Sequence, residues 1–299
     1  MKYLLCFAAG GFYTLSFSPY NITIMSFISV LIFILLLDLE NIKDSLIKSF
    51  MFSVGFFSVG TYWLENVIKY YTDINYLLTL IIILVFTIYL SLFVIIPVLL
   101  SSIVKSNLKL NKNYSLIIMT MLITIFEIVR SFLFTGYSWF NFGQAAINSP
   151  LEYFFPVIGV HGLTFIIFLT PVIFINILKS TNLKFFIPVL ALLLLFYSAI
   201  YSKEWTFKTH ENIKISLIQP NTKNKLIYTN DDILQRMNIM KEMTVESYKD
   251  NLNIIVWPEA PLPVPYNDLQ TSYYDKLIAS MPNSVFIVSG SFYRNKDFV

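Results

Sequence analysis

The sequence predicts a polytopic α-helical membrane bundle of about seven spans, followed by the opening part of an α/β domain. Three observations predict it. Only 13% of the 299 residues are charged, about half the share of a soluble domain. That charge is uneven: residues 1–200 hold 17 Asp, Glu, Lys and Arg, and the last 99 hold 22. Apolar runs in the first part also approach or exceed the roughly 20 residues that cross a bilayer as a helix. The chain therefore reads as two regions in two solvents, a transmembrane bundle over 1–201 and a water-soluble region over 202–299.

The apolar runs fall at about 3–17, 22–38, 47–70, 74–101, 114–135, 152–178 and 183–201, with polar punctuation between them, such as Ser18-Pro19-Tyr20-Asn21 and Asp38 to Lys48. A cleaved signal peptide would resemble the first run, but the second follows after four residues, which favours a retained helix. Lysine asymmetry sets the orientation. With the N-terminus in the cytoplasm, the inner ends carry Lys2, Lys43, Lys48, Lys105, Lys109, Lys112, Lys179 and Lys184, and the outer ends only Lys69. Seven crossings deliver everything after Tyr201 to the outer side, the periplasm of a bacterial cell with the bundle in its inner membrane. Cys6 is the single cysteine, which excludes an internal disulfide and reads as a packed thiol in the first helix. Scattered basic residues give no nucleic-acid signature. His161, set between glycines, reads as a packing position; with His210 the only other histidine, no metal cluster is expected, and no cofactor motif is evident.

The tail alternates strand and helix. Ile213 to Ile218 has period-2 character and stops before Pro220. Asp231 to Tyr248 carries Ile233, Leu234, Met237, Met240 and Met243 at helical spacing, with Asn230 or Asp231 as N-cap. Asn253 to Trp257 is a short apolar strand that Pro258 should terminate, Tyr273 to Met281 a helix, and Ser284 to Val288 a further strand. This β-α-β-α-β order indicates a layered α/β domain, and with its last strand close to Val299 the domain is expected to be incomplete.

Val256-Trp257-Pro258-Glu259-Ala260-Pro261 is the stretch richest in chemistry. A carboxylate directly after a buried strand sits at the sheet's C-terminal edge, where α/β proteins place their sites. Prolines on either side restrict the backbone, and partial burial would raise the Glu259 pKa towards that of a general base. The alternative is a solvated glutamate at a strand end.

Trp-Pro-Glu after a strand, with Leu217-Ile218-Gln219-Pro220-Asn221 about 40 residues earlier, resembles the nitrilase-type domain of the apolipoprotein N-acyltransferases. The first part agrees. Gly10-Gly11 through Phe17-Ser18-Pro19-Tyr20 and Gly55 to Trp63 resemble that family's first and third helices. Glu127-Ile128-Val129-Arg130, then Thr135 to Gly143, then Gly159-Val160-His161-Gly162-Leu163, carry the most specific likeness. The resemblance implies an enzyme that moves an acyl chain from a phospholipid to the N-terminal amine of a lipoprotein's diacylglyceryl-cysteine, through a cysteine thioester and without a cofactor. It implies a Glu-Lys-Cys set in which Glu259 matches the general base. The family's lysine and cysteine lie downstream of the last predicted strand, so neither is matched here; Lys296 comes too early, and Cys6 lies in the first span. Where the family has Lys-Trp after Gln-Pro-Asn, this chain has Ile227-Tyr228, leaving Tyr228 as either an aromatic wall of the acyl site or a loop tyrosine. A non-catalytic membrane scaffold that binds lipid or lipoprotein is the alternative function.

Charges within a membrane need a reason. Glu127 and Arg130 at i,i+3, and Glu65 and Lys69 at i,i+4, can pair along helical faces. Arg130 either meets a donor phosphate or orders the Thr135–Gly143 loop, or else belongs to a neutralised structural pair that locks two helices. Trp139 and Phe140 read first as interfacial anchors and second as acyl-chain contacts.

Overall fold

The computed structural model describes residues 1–72, 74–179, 194, 196–198, 200–201, 203–207, 213–222, 228–248, 254–281 and 286–294. The chain divides into two compact units, Met1–Glu204 and Trp205–Val299.

The first unit is built from α1 (Lys2–Tyr13), α2 (Ile24–Leu36), α3 (Ile42–Gly60), α4 (Leu64–Tyr71), α5 (Tyr76–Leu108), α6 (Lys112–Arg130) and α7 (Phe155–Lys179). Among the described residues, three helices are long and apolar enough to cross a membrane: Tyr76–Leu108, Lys112–Arg130 and the Pro150–Leu178 segment that contains α7. The other expected spans differ. With 12 and 13 residues, α1 and α2 are each under about 20 Å long at 1.5 Å per residue, short of a hydrocarbon core of about 30 Å. The run over 47–70 is split, because α3 ends at Gly60 and α4 starts at Leu64. Most of the run over 183–201 lies outside the described residues.

Side-chain caps explain several boundaries. Asn41, Asn75 and Asn111 accept bonds from Asp44, Leu78 and Tyr114 N–H groups, each filling one of the open donors at its helix start. At its other end, α2 is closed by side chains from elsewhere: Lys48 Nζ donates to Leu36 O at 2.6 Å, Lys112 Nζ to Leu37 O at 3.5 Å, and Ser45 Oγ to Asp38 O. Two glycines bring α1 and α3 together backbone to backbone. A Cβ on Gly10 would fall 1.9 Å from Phe52 O, and one on Gly55 2.1 Å from Phe7 O, the small-residue contact that membrane helices use where lipid offers no hydrophobic drive. The core continues through Tyr13, Phe56, Phe142 and Phe168, whose successive ring centroids lie 5.2, 4.6 and 4.9 Å apart. Such pairs add roughly 0.5–1.5 kcal/mol each beyond burial. Cys6 is buried in this core.

In the second unit, β1 (Ile215–Leu217), β2 (Ile254–Glu259) and β3 (Phe286–Gly290) form a parallel sheet in the order β1-β2-β3. Between them lie α8 (Asn230–Tyr248), α9 (Tyr266–Leu269), a π turn over Gln270–Tyr274 and α10 (Asp275–Ala279). Pro258 does not end β2, which runs on to Glu259 across a register shift between Val256 and Glu259. A bulge tolerates a residue with no N–H to give the ladder. The start of α8 is capped one residue earlier than expected: Asp232 N–H donates to Thr229 Oγ1 and Thr229 N–H to Asp232 Oδ2, a reciprocal capping box. Leu234 is exposed, but Met240 is buried as expected, Met237 and Met243 pack partly buried against the core, and Arg236 and Thr244 are buried beside them. Ile218, Met240, Ile255, Trp257, Tyr273, Tyr274 and Leu277 form the core. On the other face of the sheet, Ile215 and Leu217 are 53% and 75% exposed and Val288 is 55% exposed.

Candidate functional site

Glu259 is the last residue of β2, opposite Gly290. The turn after it is held from several directions. Trp257 is buried and its Nε1 donates to Thr244 Oγ1 at 3.0 Å. Ala260 stands at φ 45°, a conformation that costs an alanine energy, and its N–H donates to Gly290 O at 2.9 Å. The Tyr273 hydroxyl donates to Met237 O at 2.7 Å, and burial raises its pKa above the ordinary tyrosine value. These contacts give Glu259 a well-determined backbone. They do not bury its carboxylate, which is exposed among the described residues, so the burial expected of a tuned general base is not supplied there.

Tyr228 lies beside a cleft of about 350 Å³ lined also by Pro220, Asn221, Asp232 and Arg236. The Arg236 guanidinium sits 4.8 Å from the Tyr228 ring centroid, and Asn221 takes φ 49° at the cleft's edge. The Gln-Pro-Asn segment and Tyr228 therefore meet at one cleft; Glu259 does not line it.

The first unit holds a denser polar centre. Arg130 and Glu127 are 1% and 3% exposed. Arg130 Nη1 donates to Trp139 O at 3.3 Å, and Nη2 to Phe140 O at 3.2 Å and Asn141 Oδ1 at 2.5 Å. Glu127 Oε1 lies 3.5 Å from Arg130 Nη2 and accepts from Phe142 N–H at 2.6 Å. The Thr164 hydroxyl donates to Glu127 Oε2 and accepts from Gly143 N–H at 2.8 Å. A Cβ on Gly143 would fall 1.9 Å from Val160 O, so only glycine admits this approach of loop to α7. Two helices and the loop between them are thus joined by a buried ion pair whose remaining valences end on loop backbone, the Asn141 side chain and the Thr164 hydroxyl, the condition under which such a pair holds together in a low-dielectric interior. Besides Glu127, all three acceptors of the Arg130 guanidinium lie on the loop, the arrangement that ordering the loop requires. His161 Nδ1 lies 3.6 Å from Glu127 Oε2 and makes no hydrogen bond among the described residues. Nothing in the spacing marked Thr164 or the Asn141 side chain as partners, because both contacts are made across a long loop.

Trp139 is 57% exposed on the outside of that loop. Its ring lies 5.1 Å from that of Trp63, and both line an open cleft of about 400 Å³ with Phe17, Phe140 and Gln144. The second expected pair, Glu65 and Lys69, is formed at 2.5 Å on α4 but is largely exposed, where such pairs contribute little.

An apolar helical bundle with a buried charge network, continued in one chain by a parallel α/β unit that ends its central strand on a carboxylate, defines a membrane protein with an appended α/β unit. Residues 9–173, more than half of the chain, match the apolipoprotein N-acyltransferase N-terminal domain, and the chain belongs to the apolipoprotein N-acyltransferase family. It is 25% identical to the apolipoprotein N-acyltransferase of Pasteurella multocida over 98% of this chain and 57% of that protein. It is 29% identical to the enzyme of the same name from Wigglesworthia glossinidia brevipalpis over 85% of this chain and 50% of that protein. The Coxiella burnetii protein of that name is 27% identical over 88% and 54%. The chain thus spans about half the length of the relatives it matches.

Proposed function

We propose that this chain supplies the membrane bundle and the first part of the nitrilase-like domain of an enzyme that transfers an acyl chain from a phospholipid to the N-terminal amine of a diacylglyceryl-modified lipoprotein. In this reading the short helices α1 and α2 each cross as well, α3 and α4 make one passage and the run over 183–201 the last, so that residues 1–201 cross the bacterial inner membrane seven times from a cytoplasmic N-terminus and residues 202–299 lie in the periplasm. Glu259 is the general base. It takes the proton of the attacking thiol, and the thiolate, a far better nucleophile than the thiol, attacks the ester carbonyl; the C–O bond breaks and the lysophospholipid leaves with the proton that Glu259 returns to it. The incoming amine then attacks the thioester, Glu259 takes the amine proton, the C–S bond breaks and that proton restores the thiol. The family resemblance implies a lysine that stabilises the oxyanion and a cysteine that attacks. Neither has a counterpart in these 299 residues, and Cys6, wholly buried in α1, has no access to a substrate. Trp139 and Tyr228 are the proposed apolar and aromatic contacts for substrate, and Arg130 orders the loop that carries Trp139.

The observation that carries this reading is the position of Glu259, exposed at the C-terminal end of the central parallel strand with its turn tied to Gly290. Glu259→Gln in the full-length protein should lower transfer to a diacylglyceryl peptide by about 100-fold or more, the scale of general-base catalysis, with expression and melting temperature unchanged. Turnover at the wild-type rate removes Glu259 from the mechanism; specific lipopeptide binding with no turnover in the wild-type protein marks a scaffold.

A further inference from the structure

At the lysine-bearing end of the bundle a cavity of about 320 Å³ opens between the α2–α3 turn and the end of α5, lined by Glu40, Ile42, Ser102, Lys105, Ser106 and Lys109 among others. Three features distinguish it from an ordinary crevice between helices. First, two lysines line it. The ammonium of Lys105, whose side chain is 12% exposed, is held at 2.8 Å by Glu40, whose side chain is 79% exposed, so solvent on the carboxylate side weakens the pair. Second, Ser102 is 1% exposed and its hydroxyl has no hydrogen-bond partner among the described residues, whereas the neighbouring Ser101 bonds Val98 O at 2.9 Å. A buried hydroxyl without a partner is costly, and a ligand oxygen would satisfy it. Third, Ile42 opens α3, a helix of 19 residues in which Asn41 caps one N–H and the first-turn Asp44 is already paired with Lys48, so its N-terminal dipole still favours an anion at the remaining groups. The backbone is set for the purpose: Lys109 takes φ 48° and Leu110 N–H turns back to Lys105 O at 3.1 Å, so both lysines border one opening.

We propose that this cavity binds the phosphate group of an anionic phospholipid headgroup at the lysine-rich surface of the membrane. Phosphate oxygens accept from Lys105, Lys109 and the Ser102 hydroxyl, and Glu40 is the competing anion that the phosphate displaces. Basic residues at a membrane surface attract anionic lipid; the buried serine and the exchangeable carboxylate make this a site rather than a diffuse patch. The inference does not depend on the acyl-transfer reading.

The test uses the full-length protein in nanodiscs of phosphatidylcholine alone and of an equal mixture with phosphatidylglycerol, reading the lipid retained on detergent extraction and the melting temperature. Wild-type protein should retain phosphatidylglycerol over phosphatidylcholine. Glu40→Gln should raise that retention several-fold by releasing Lys105, a gain that a purely structural or orienting role for the lysines would not produce. Lys109→Gln should lower retention, and Ser102→Ala should lower it with charge and topology untouched, which covers the case of a lysine variant that folds poorly. Retention that is equal for the two lipids, or unchanged by both Glu40→Gln and Ser102→Ala, overturns the proposal. Inorganic phosphate that raises the melting temperature in phosphatidylcholine discs, without phosphatidylglycerol retention, overturns the lipid as source and keeps the phosphate chemistry.

Discussion

Replacing Glu127 with glutamine tests whether the buried network holds the first unit together. The substitution keeps shape and volume and removes one charge. Three contacts are affected: the ion pair with Arg130, the bond from Phe142 N–H at 2.6 Å and the bond from the Thr164 hydroxyl. Arg130, at 1% exposure, would keep its charge with only neutral acceptors around it. Breaking a buried pair by removing one partner costs about 3–5 kcal/mol. A unit of this size loses roughly 2–4 °C of melting temperature per kcal/mol, so Glu127→Gln should lower the midpoint by about 6–20 °C. The assay is thermal unfolding in detergent, with Arg130→Gln and the double variant completing a cycle whose coupling should exceed about 1 kcal/mol, as for residues sharing one network. A midpoint within about 2 °C of wild type would show that the network contributes under about 1 kcal/mol and would refute its structural role.

Gly143→Ala should be worse tolerated than Glu127→Gln, because the added methyl meets Val160 O at 1.9 Å and must push the loop from α7; folded yield and melting temperature report it. Tyr273 gives a pH dependence. Its folded pKa is raised by burial from the ordinary value of 10.0, so its contribution is complete below that value and is lost as pH rises from 10.0 towards the higher folded pKa. The melting temperature should therefore fall above that pH in the wild type, while Tyr273→Phe flattens the dependence and costs about 1 kcal/mol for the lost bond to Met237 O.

Much of this architecture was legible because local rules govern it. The uninterrupted apolar stretch of α5, bounded by Asn75 and the lysines after Ser102, has one reading in a bilayer, and the alternation of strand and helix in the tail follows from changes of period. The misreadings have local causes too. Hydropathy cannot see the break at Thr61–Trp63, because aromatic and small residues keep a window apolar while the helix stops. Thr229-x-x-Asp232 was a readable capping box obscured by the adjacent acidic residues. Pro258 looked like a stop, and only the register of the neighbouring strand shows it within a bulge. Among candidate site residues, Glu127 and Arg130 were visible as a pair at i,i+3, but their bonds to Thr164, Asn141 and Phe142 depend on how the loop closes, which no spacing encodes. Glu259 was found through its prolines; its exposure follows from packing that the sequence pattern does not determine.

The closure of α2 by Lys48, Lys112 and Ser45 bears on how the bundle is made. An under-length helix enters the membrane with carbonyls at its end that neither lipid nor its own turns can satisfy. Every side chain that completes it is translated later, Ser45 and Lys48 on the next helix and Lys112 at the start of α6. The end of α2 is therefore complete only once α3 and the start of α6 lie beside it, so a change at Lys48 or Lys112 is felt at a helix whose own sequence is untouched.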